Sequence, residues 1–109
     1  MNITVNEYSV SPSTVIAGTQ GSEGIFRISF SFDPSWEGLA KKLVFVMPNG
    51  ERIYRSLRED EIVIPSEVMK TRGKSRCYVV GRRGRRRLVS TGIDLLVLHT
   101  VCDDEEVTA

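Results

Sequence analysis

The sequence predicts an all-β protein, an immunoglobulin-like antiparallel β-sandwich of about seven to eight short strands, with a small β-barrel as the alternative. Short segments in which apolar and polar residues alternate recur at intervals of about ten residues, separated by turn-forming residues. No segment carries a helical apolar period for more than a turn or two. Strand order cannot be derived from alternation, so both the sandwich and the barrel remain open.

The clearest strand lies at residues 26–32, where four apolar residues alternate with arginine and serine. This period of two is typical of a strand with one buried and one solvated face. Pro34 ends the strand, because proline fixes its own φ and has no N–H to donate. The apolar run at residues 43–46 predicts the next strand, and Trp36, the only tryptophan, lies in the turn between them.

A β-hairpin is predicted around Asn49 and Gly50, which separate alternating runs at residues 43–47 and 51–57. Asn-Gly between two such runs is the strongest short-range hairpin signal, since both residues tolerate positive φ. A single helical turn is predicted at residues 66–70. Further strands are predicted at residues 3–10, 14–16, 62–64, 75–80, 87–90 and 93–101.

The chain has 109 residues, which is enough for one domain with a modest core. We expect a single β-sandwich domain at residues 1–102 and an acidic flexible tail at residues 103–109. The net charge is only +1, but basic residues concentrate between positions 70 and 87. Four acidic residues stand together in the tail: Asp103, Asp104, Glu105 and Glu106. This asymmetry concerns partners and not the fold.

The sequence predicts no enzyme, cofactor, metal site or small-molecule substrate. His99, the single histidine, lies in an apolar strand, and the adjacent carboxylates of residues 59–61 lie on one turn and do not flank a substrate. The glycines of residues 18–24 lack the strand, helix and lysine of a phosphate-binding loop. Cys77 and Cys102 lack enough neighbouring ligands for zinc, so free thiols are expected.

Membrane insertion is not predicted, because the longest apolar runs fall far short of the roughly 20 residues that a spanning helix needs. The first residues lack the basic region and apolar core of a signal peptide. Synthesis and residence in a cytoplasm are therefore expected.

A turn flanked by glycines at residues 81–87 carries five arginines: Arg82, Arg83, Arg85, Arg86 and Arg87. We call residues 82–87 the arginine hairpin. Guanidinium groups pair bidentately with carboxylates and phosphates. The arginine hairpin therefore predicts contact with an anionic protein surface or with nucleic acid, or else is a solvated turn. No aromatic residues interleave with these arginines, so the stacking platform of single-strand binders is missing.

Trp36 and Tyr54 complete the candidate partner-binding residues. Tryptophans at turns often anchor interfaces. The alternative for Trp36 is that it caps the core between two strands, next to Leu39 and the apolar face of residues 26–32.

Several segments together resemble a module common in tailed bacteriophages and prophages of Gram-positive bacteria. Residues 30–45 (FSFDPSWEGLAKKLVF) match its F-x-F-x-x-x-W-x-G-L-x-K pattern, and residues 62–69 (IVIPSEVM) match a strand ending I-P-x-E-V-L. Gly73 and a strand ending at Gly81 follow, as in the module. The resemblance covers roughly residues 25–98, and its motifs are short.

The resemblance implies a phage virion structural protein, a small β-sandwich that serves in tail or baseplate assembly or attachment without catalysis. Its expected partners are other tail or baseplate proteins and further copies of itself, in the host cytoplasm during assembly and then in the virion tail.

This chain departs from the module in two places. Ser66 stands where the family often has a second tryptophan, and the arginine hairpin replaces a short Gly/Asn/Asp turn, so its partner is expected to be particular to this chain. The alternative function is a small nucleic-acid-binding β-barrel that uses residues 82–87.

Overall fold

The computed structural model describes residues 2–19, 26–70 and 73–98. In chain order, the strands of these residues are β1 (Asn2–Asn6), β2 (Ser9–Ser11), β3 (Thr14–Thr19), β4 (Arg27–Phe32), β5 (Ala40–Val46), β6 (Arg52–Ser56), β7 (Glu61–Val63), β8 (Gly73–Arg83), β9 (Arg86–Val89) and β10 (Ile93–Leu98). A 3₁₀ turn spans Pro34–Trp36, and one short helix, α1, spans Ser66–Lys70.

The strands form two sheets. The smaller has the order β2-β1-β4-β7, and the larger has the order β3-β10-β8-β5-β6, with β9 also paired to β8. Buried side chains of both sheets belong to one apolar cluster, so the sheets enclose a common core. The predicted sandwich is confirmed at this level, and the strands described here do not close into a barrel.

The prediction of purely antiparallel sheets is wrong. β1 pairs parallel with β4, and β3 pairs parallel with β10, so both sheets are mixed. Immunoglobulin domains are built from antiparallel sheets, and this fold is sandwich-like without being specifically immunoglobulin-like.

The strand count also differs from the prediction, with ten strands in the described residues instead of seven or eight. One reason is that the alternating run at residues 3–10 is a hairpin, β1–β2, which turns at Glu7 and Tyr8. Glu7 adopts a φ of 56°, a conformation for which glutamate gives no sequence signal.

The hairpin predicted at Asn49 and Gly50 is confirmed. β5 and β6 pair antiparallel up to Val46 and Arg52, and Gly50 takes a φ of 92°. The helical turn at residues 66–70 is also present as α1. Within the described ranges, no helix is long and apolar enough to cross a membrane. The predictions for residues 20–24, His99, Cys102 and the acidic tail lie outside the described residues.

Trp36 connects the two sheets. Its side chain is 0% exposed, and its ring lies 5.2 Å from the Phe32 ring of β4, between centroids. On the other side it contacts the backbone of β8, where a Cβ on Gly81 would lie only 2.8 Å from the indole ring. The indole N–H donates a hydrogen bond to the Glu7 carbonyl at 2.6 Å. The alternative in which Trp36 caps the core is therefore confirmed.

The turn before Trp36 holds the first hairpin in place. The backbone N–H of Glu7 donates to Asp33 Oδ2 at 3.0 Å, and the Asp33 N–H donates to the Val5 carbonyl at 3.1 Å. Ser35 Oγ donates to the second oxygen of Asp33 at 2.5 Å. The Asp-Pro-Ser-Trp segment thus has a structural role, which is to fix β1–β2 against the core.

Substitution of Gly81 by alanine is expected to lower the free energy of unfolding by about 1–3 kcal/mol, because the new methyl group overlaps the Trp36 ring in a packed core. Urea denaturation measures the loss. Gly92→Ala is the matched control, since its Cβ would meet the Tyr78 ring at a longer distance, 3.3 Å, and that ring is only half-buried. Equal losses in the two variants would contradict the role given to Trp36.

Cys77 is a free, buried thiol, and its burial raises the pKa to about 12 from an ordinary value of 9.0. The folded protein keeps the thiol proton that the unfolded chain releases near pH 9, so stability is expected to fall as the pH rises from about 9 to about 12.

In a Cys102→Ser variant at pH 8, a thiol reagent should modify Cys77 only in urea. Rapid modification of the native variant would contradict this prediction.

Candidate functional site

The outer face of the larger sheet carries an open hollow of about 440 Å³, bounded by β5, β6, β8 and β9. We call it the basic hollow. Its lining residues are Ala40, Lys41, Lys42, Val44, Arg52, Tyr54, Ser56, Val80, Arg82 and Arg87.

Strand register brings the lining side chains together. Lys42 of β5 is opposite Ser56 on one side and Val80 on the other. Two residues along β5, Val44 is opposite Tyr54. Directly opposed residues point to the same face of a sheet, and every second residue returns to that face. Residues distant in sequence therefore share one surface.

The lining is positively charged. Five of its residues are basic and none is acidic. The ammonium of Lys41 is engaged elsewhere, 4.7 Å from the Phe32 ring centre and 3.8 Å from Asp60. The remaining four cations are Lys42, Arg52, Arg82 and Arg87. None of them forms an ion pair with a carboxylate that the structure describes. Among the described residues, the basic hollow thus has more positive charge than its carboxylates compensate.

Tyr54 supplies an aromatic surface within this charge. Its side chain is 53% exposed, and the Lys42 ammonium lies 5.6 Å from its ring centre. Val44 and Val80, both half-buried, form an apolar floor beside it. Cations around a tyrosine and an apolar floor can bind a carboxylate or phosphate while covering apolar surface.

The arginine hairpin divides between two faces. Arg82 is directly opposite Arg87, and Arg83 is opposite Arg86 one position further. Because successive side chains alternate across a strand, only the first pair points into the basic hollow. On the other face, Arg86 Nη2 donates to the Ser35 carbonyl at 3.3 Å. The five arginines are therefore not one binding group.

The tip of the hairpin is formed by Gly84 and Arg85. Gly84 has a φ of 59°, a left-handed conformation that glycine adopts without steric cost. Arg83 packs over the turn before β5, since a Cβ on Gly38 would lie 2.9 Å from its guanidinium. Arg85 is exposed and contributes nothing to the lining of the hollow.

No family model matches this chain, and no curated protein matches it. The resemblance to the phage module stays a prediction that rests on residues 30–45, 62–69, Gly73 and 79–81.

The sequence-predicted contacts separate as follows. Tyr54, Arg82 and Arg87 come together in the basic hollow, whereas the buried Trp36 ring offers no surface to a partner. Sequence reasoning missed the contribution of two further cations, Lys42 and Arg52. Arg52 shares the period of two with Tyr54, and that alternation could have assigned it to the same face.

A second hollow, of about 390 Å³, lies beside the Asp33 turn and is lined in part by Asp33, Glu37, Lys41 and Asp60. Three of these charged groups are already engaged within the protein, since Asp33 holds the first hairpin and Lys41 contacts Asp60. Across the described ranges, no three His, Cys, Asp or Glu side chains form a group that could hold a metal ion.

The opposed Arg82 and Arg87 are expected to destabilise the β8–β9 hairpin, because like charges directly across a ladder repel. Arg87→Glu should raise the free energy of unfolding by about 0.5–1 kcal/mol at low salt. Arg85→Glu, with the same charge change at the hairpin tip, is the control. Urea denaturation at about 0.05 M and 1 M NaCl tests this, since the gain should vanish when charges are screened. Equal, salt-independent effects of both substitutions would contradict it.

Proposed function

We propose that this chain is a non-enzymatic virion structural protein of a tailed phage, a tail or baseplate assembly or attachment module that acts through protein–protein contacts. The observation that carries the proposal is the basic hollow, where four cations without an ion pair among the described carboxylates lie around an exposed tyrosine. Its partners would be anionic surfaces of other tail or baseplate proteins, or of further copies of the chain. In this role the protein would occupy the host cytoplasm during assembly and the virion tail afterwards.

The chemistry of the basic hollow suits a protein interface. Arginine and tyrosine are enriched among the residues that dominate binding energy at interfaces. Here they project from paired strands, which fix their backbone positions before a partner binds. Binding therefore costs little conformational entropy of the chain. Charge complementarity would also exclude wrong partners and fix the register of an assembly.

The resemblance to the phage module supports the same function from an independent direction. Its motif residues in this chain, including Trp36 and Gly81, build the core that positions β8 and the hairpin. Two cations of the basic hollow, Arg82 and Arg87, lie where this chain departs from the module. A shared core with a particular binding face is what a family of assembly modules with different partners requires.

A nucleic-acid-binding protein is the second candidate, and the same four cations favour it. It would use one aromatic, Tyr54, whereas binders of single strands stack several bases on several rings. Binding to random duplex and single-stranded oligonucleotides, titrated with NaCl, tests it. Affinity that falls steeply with salt through phosphate contacts would favour this candidate over the first.

Incorporation into phage particles tests the proposed function. Arg82→Ser combined with Arg87→Ser should lower the amount of tagged chain in purified particles by about tenfold or more, because interface arginines at hot spots contribute on that scale. Arg83→Ser combined with Arg85→Ser removes the same charge outside the basic hollow and serves as the control. Unchanged incorporation of the first variant would overturn the proposal.

A further inference from the structure

We infer that the basic hollow binds the acidic segment of a second copy of this chain, so that copies associate head to tail. The acidic segment consists of Asp103, Asp104, Glu105 and Glu106. The inference rests on the proposed function in taking the basic hollow as a protein-binding site, and it adds the identity of the partner.

The two groups are complementary in number and sign. The basic hollow has four cations without ion pairs among the described residues, and the acidic segment has four consecutive carboxylates. The cations come from β5, β6, β8 and β9 and therefore surround the hollow. An extended acidic peptide projects carboxylates to both sides, which suits cations placed around it. Arginines can hold such carboxylates bidentately.

The other acidic run of the chain is already used. Within residues 59–61, Asp60 lies 3.8 Å from Lys41, and Glu61 forms an ion pair with Arg27 at 2.8 Å. Asp94, the carboxylate of β10, lies between Arg76 and Lys74. These carboxylates compensate cations of their own surroundings, and none of them lines the basic hollow.

Chain geometry limits how much of the hollow the acidic segment can reach within its own copy. Val97 is paired with Gly73, and Gly73 is nine residues before Arg82 on the same strand, about 30 Å away at roughly 3.3 Å per residue. β10 runs antiparallel to β8, so the chain leaves β10 heading away from Arg82. Asp103 follows Val97 by six residues, which span at most about 21 Å when fully extended. Arg52 lies nearer to Gly73, since its ladder partner Val46 pairs with Arg76. The acidic segment of a second copy can approach the hollow from either end.

The arrangement would make a heterologous contact. The arginine pair of the hollow lies at the Arg82 end of β8, and the acidic segment follows a strand that ends beside Gly73, at the opposite end. When two identical chains bind through two different surfaces, one hollow and one acidic segment remain free in the pair. Further copies can therefore add until a ring closes, or else a filament grows. Both products suit a protein of a phage tail.

Sedimentation of the full chain over a range of concentrations measures the association. Wild type is expected to self-associate at about 0.05 M NaCl and to dissociate toward monomer at 1 M NaCl, where charges are screened beyond about 3 Å. Two variants test the two sides of the proposed contact, the acidic segment and the basic hollow. The segment variant carries Asp103→Asn, Asp104→Asn, Glu105→Gln and Glu106→Gln, and the hollow variant carries Arg82→Ser and Arg87→Ser. Each is expected to weaken self-association by about tenfold or more.

Mixing the two variants gives the decisive result. The segment variant keeps an intact hollow and the hollow variant keeps an intact segment, so the mixture should form a one-to-one complex that grows no further. At a concentration where wild type is associated, each variant alone is expected to be mostly monomeric. Circular dichroism and urea denaturation of each variant establish that it is folded.

Charge-matched controls distinguish an effect of the binding site from an effect of the net charge of the protein. Arg83→Ser with Arg85→Ser should associate like wild type. So should a chain with four exposed glutamates neutralised elsewhere, namely Glu7→Gln, Glu37→Gln, Glu51→Gln and Glu59→Gln.

Several outcomes would overturn the inference. They are a monomeric wild type at every concentration, a segment variant that associates like wild type, a mixture without a one-to-one complex, and association that nuclease treatment abolishes. If particle incorporation still requires Arg82 and Arg87 in such a case, the proposed function stands and the hollow binds another virion protein. If incorporation does not require them, the proposed function fails as well.

Discussion

The contact between the Trp36 ring and the backbone of Gly81 determines much of this structure. Trp36 packs on β4, donates to the first hairpin and leaves no room for a side chain on β8 at position 81. Position 81 faces inward, toward the indole, and glycine is the residue that fits there. Since side chains alternate along a strand, Arg82 then faces outward, and its partner across the ladder, Arg87, does the same. A core contact thereby decides which arginines of the hairpin reach the basic hollow.

The basic hollow illustrates a conflict between stability and binding. Two arginines stand directly opposite each other on β8 and β9, with Lys42 and Arg52 on the neighbouring strands and no carboxylate in the lining. Repulsion on a rigid ladder lowers stability by a modest amount. The same rigidity holds the cations in place for an anionic partner, so binding needs little further ordering. Neutral residues at these positions would give a more stable sheet, but an anionic partner would find no charge to bind there.

Local features of the fold could be predicted from the sequence, whereas long-range ones could not. Alternation located most strands, and Asn49-Gly50 located the hairpin, because both signals depend on neighbouring residues. Parallel pairing joins strands far apart in the chain and leaves no local signature. The candidate site shows the same limit. Arg82 and Tyr54 were identified by residue type, but Lys42 was missed because only strand register places it beside them.

The parallel pairing of β3 with β10 has a consequence for folding of the chain during its synthesis on the ribosome. β10 lies between β3 and β8, and it aligns Thr14 with Asp94. Until residues 93–98 have emerged from the exit tunnel, the backbone edges of β3 and β8 that face β10 lack their partner, and unpaired edges invite association with other chains. The β5–β6 and β8–β9 hairpins need only local closure and can form earlier. Completion of the larger sheet is therefore tied to the end of synthesis of residues 2–98, when the edges most prone to aggregation become covered.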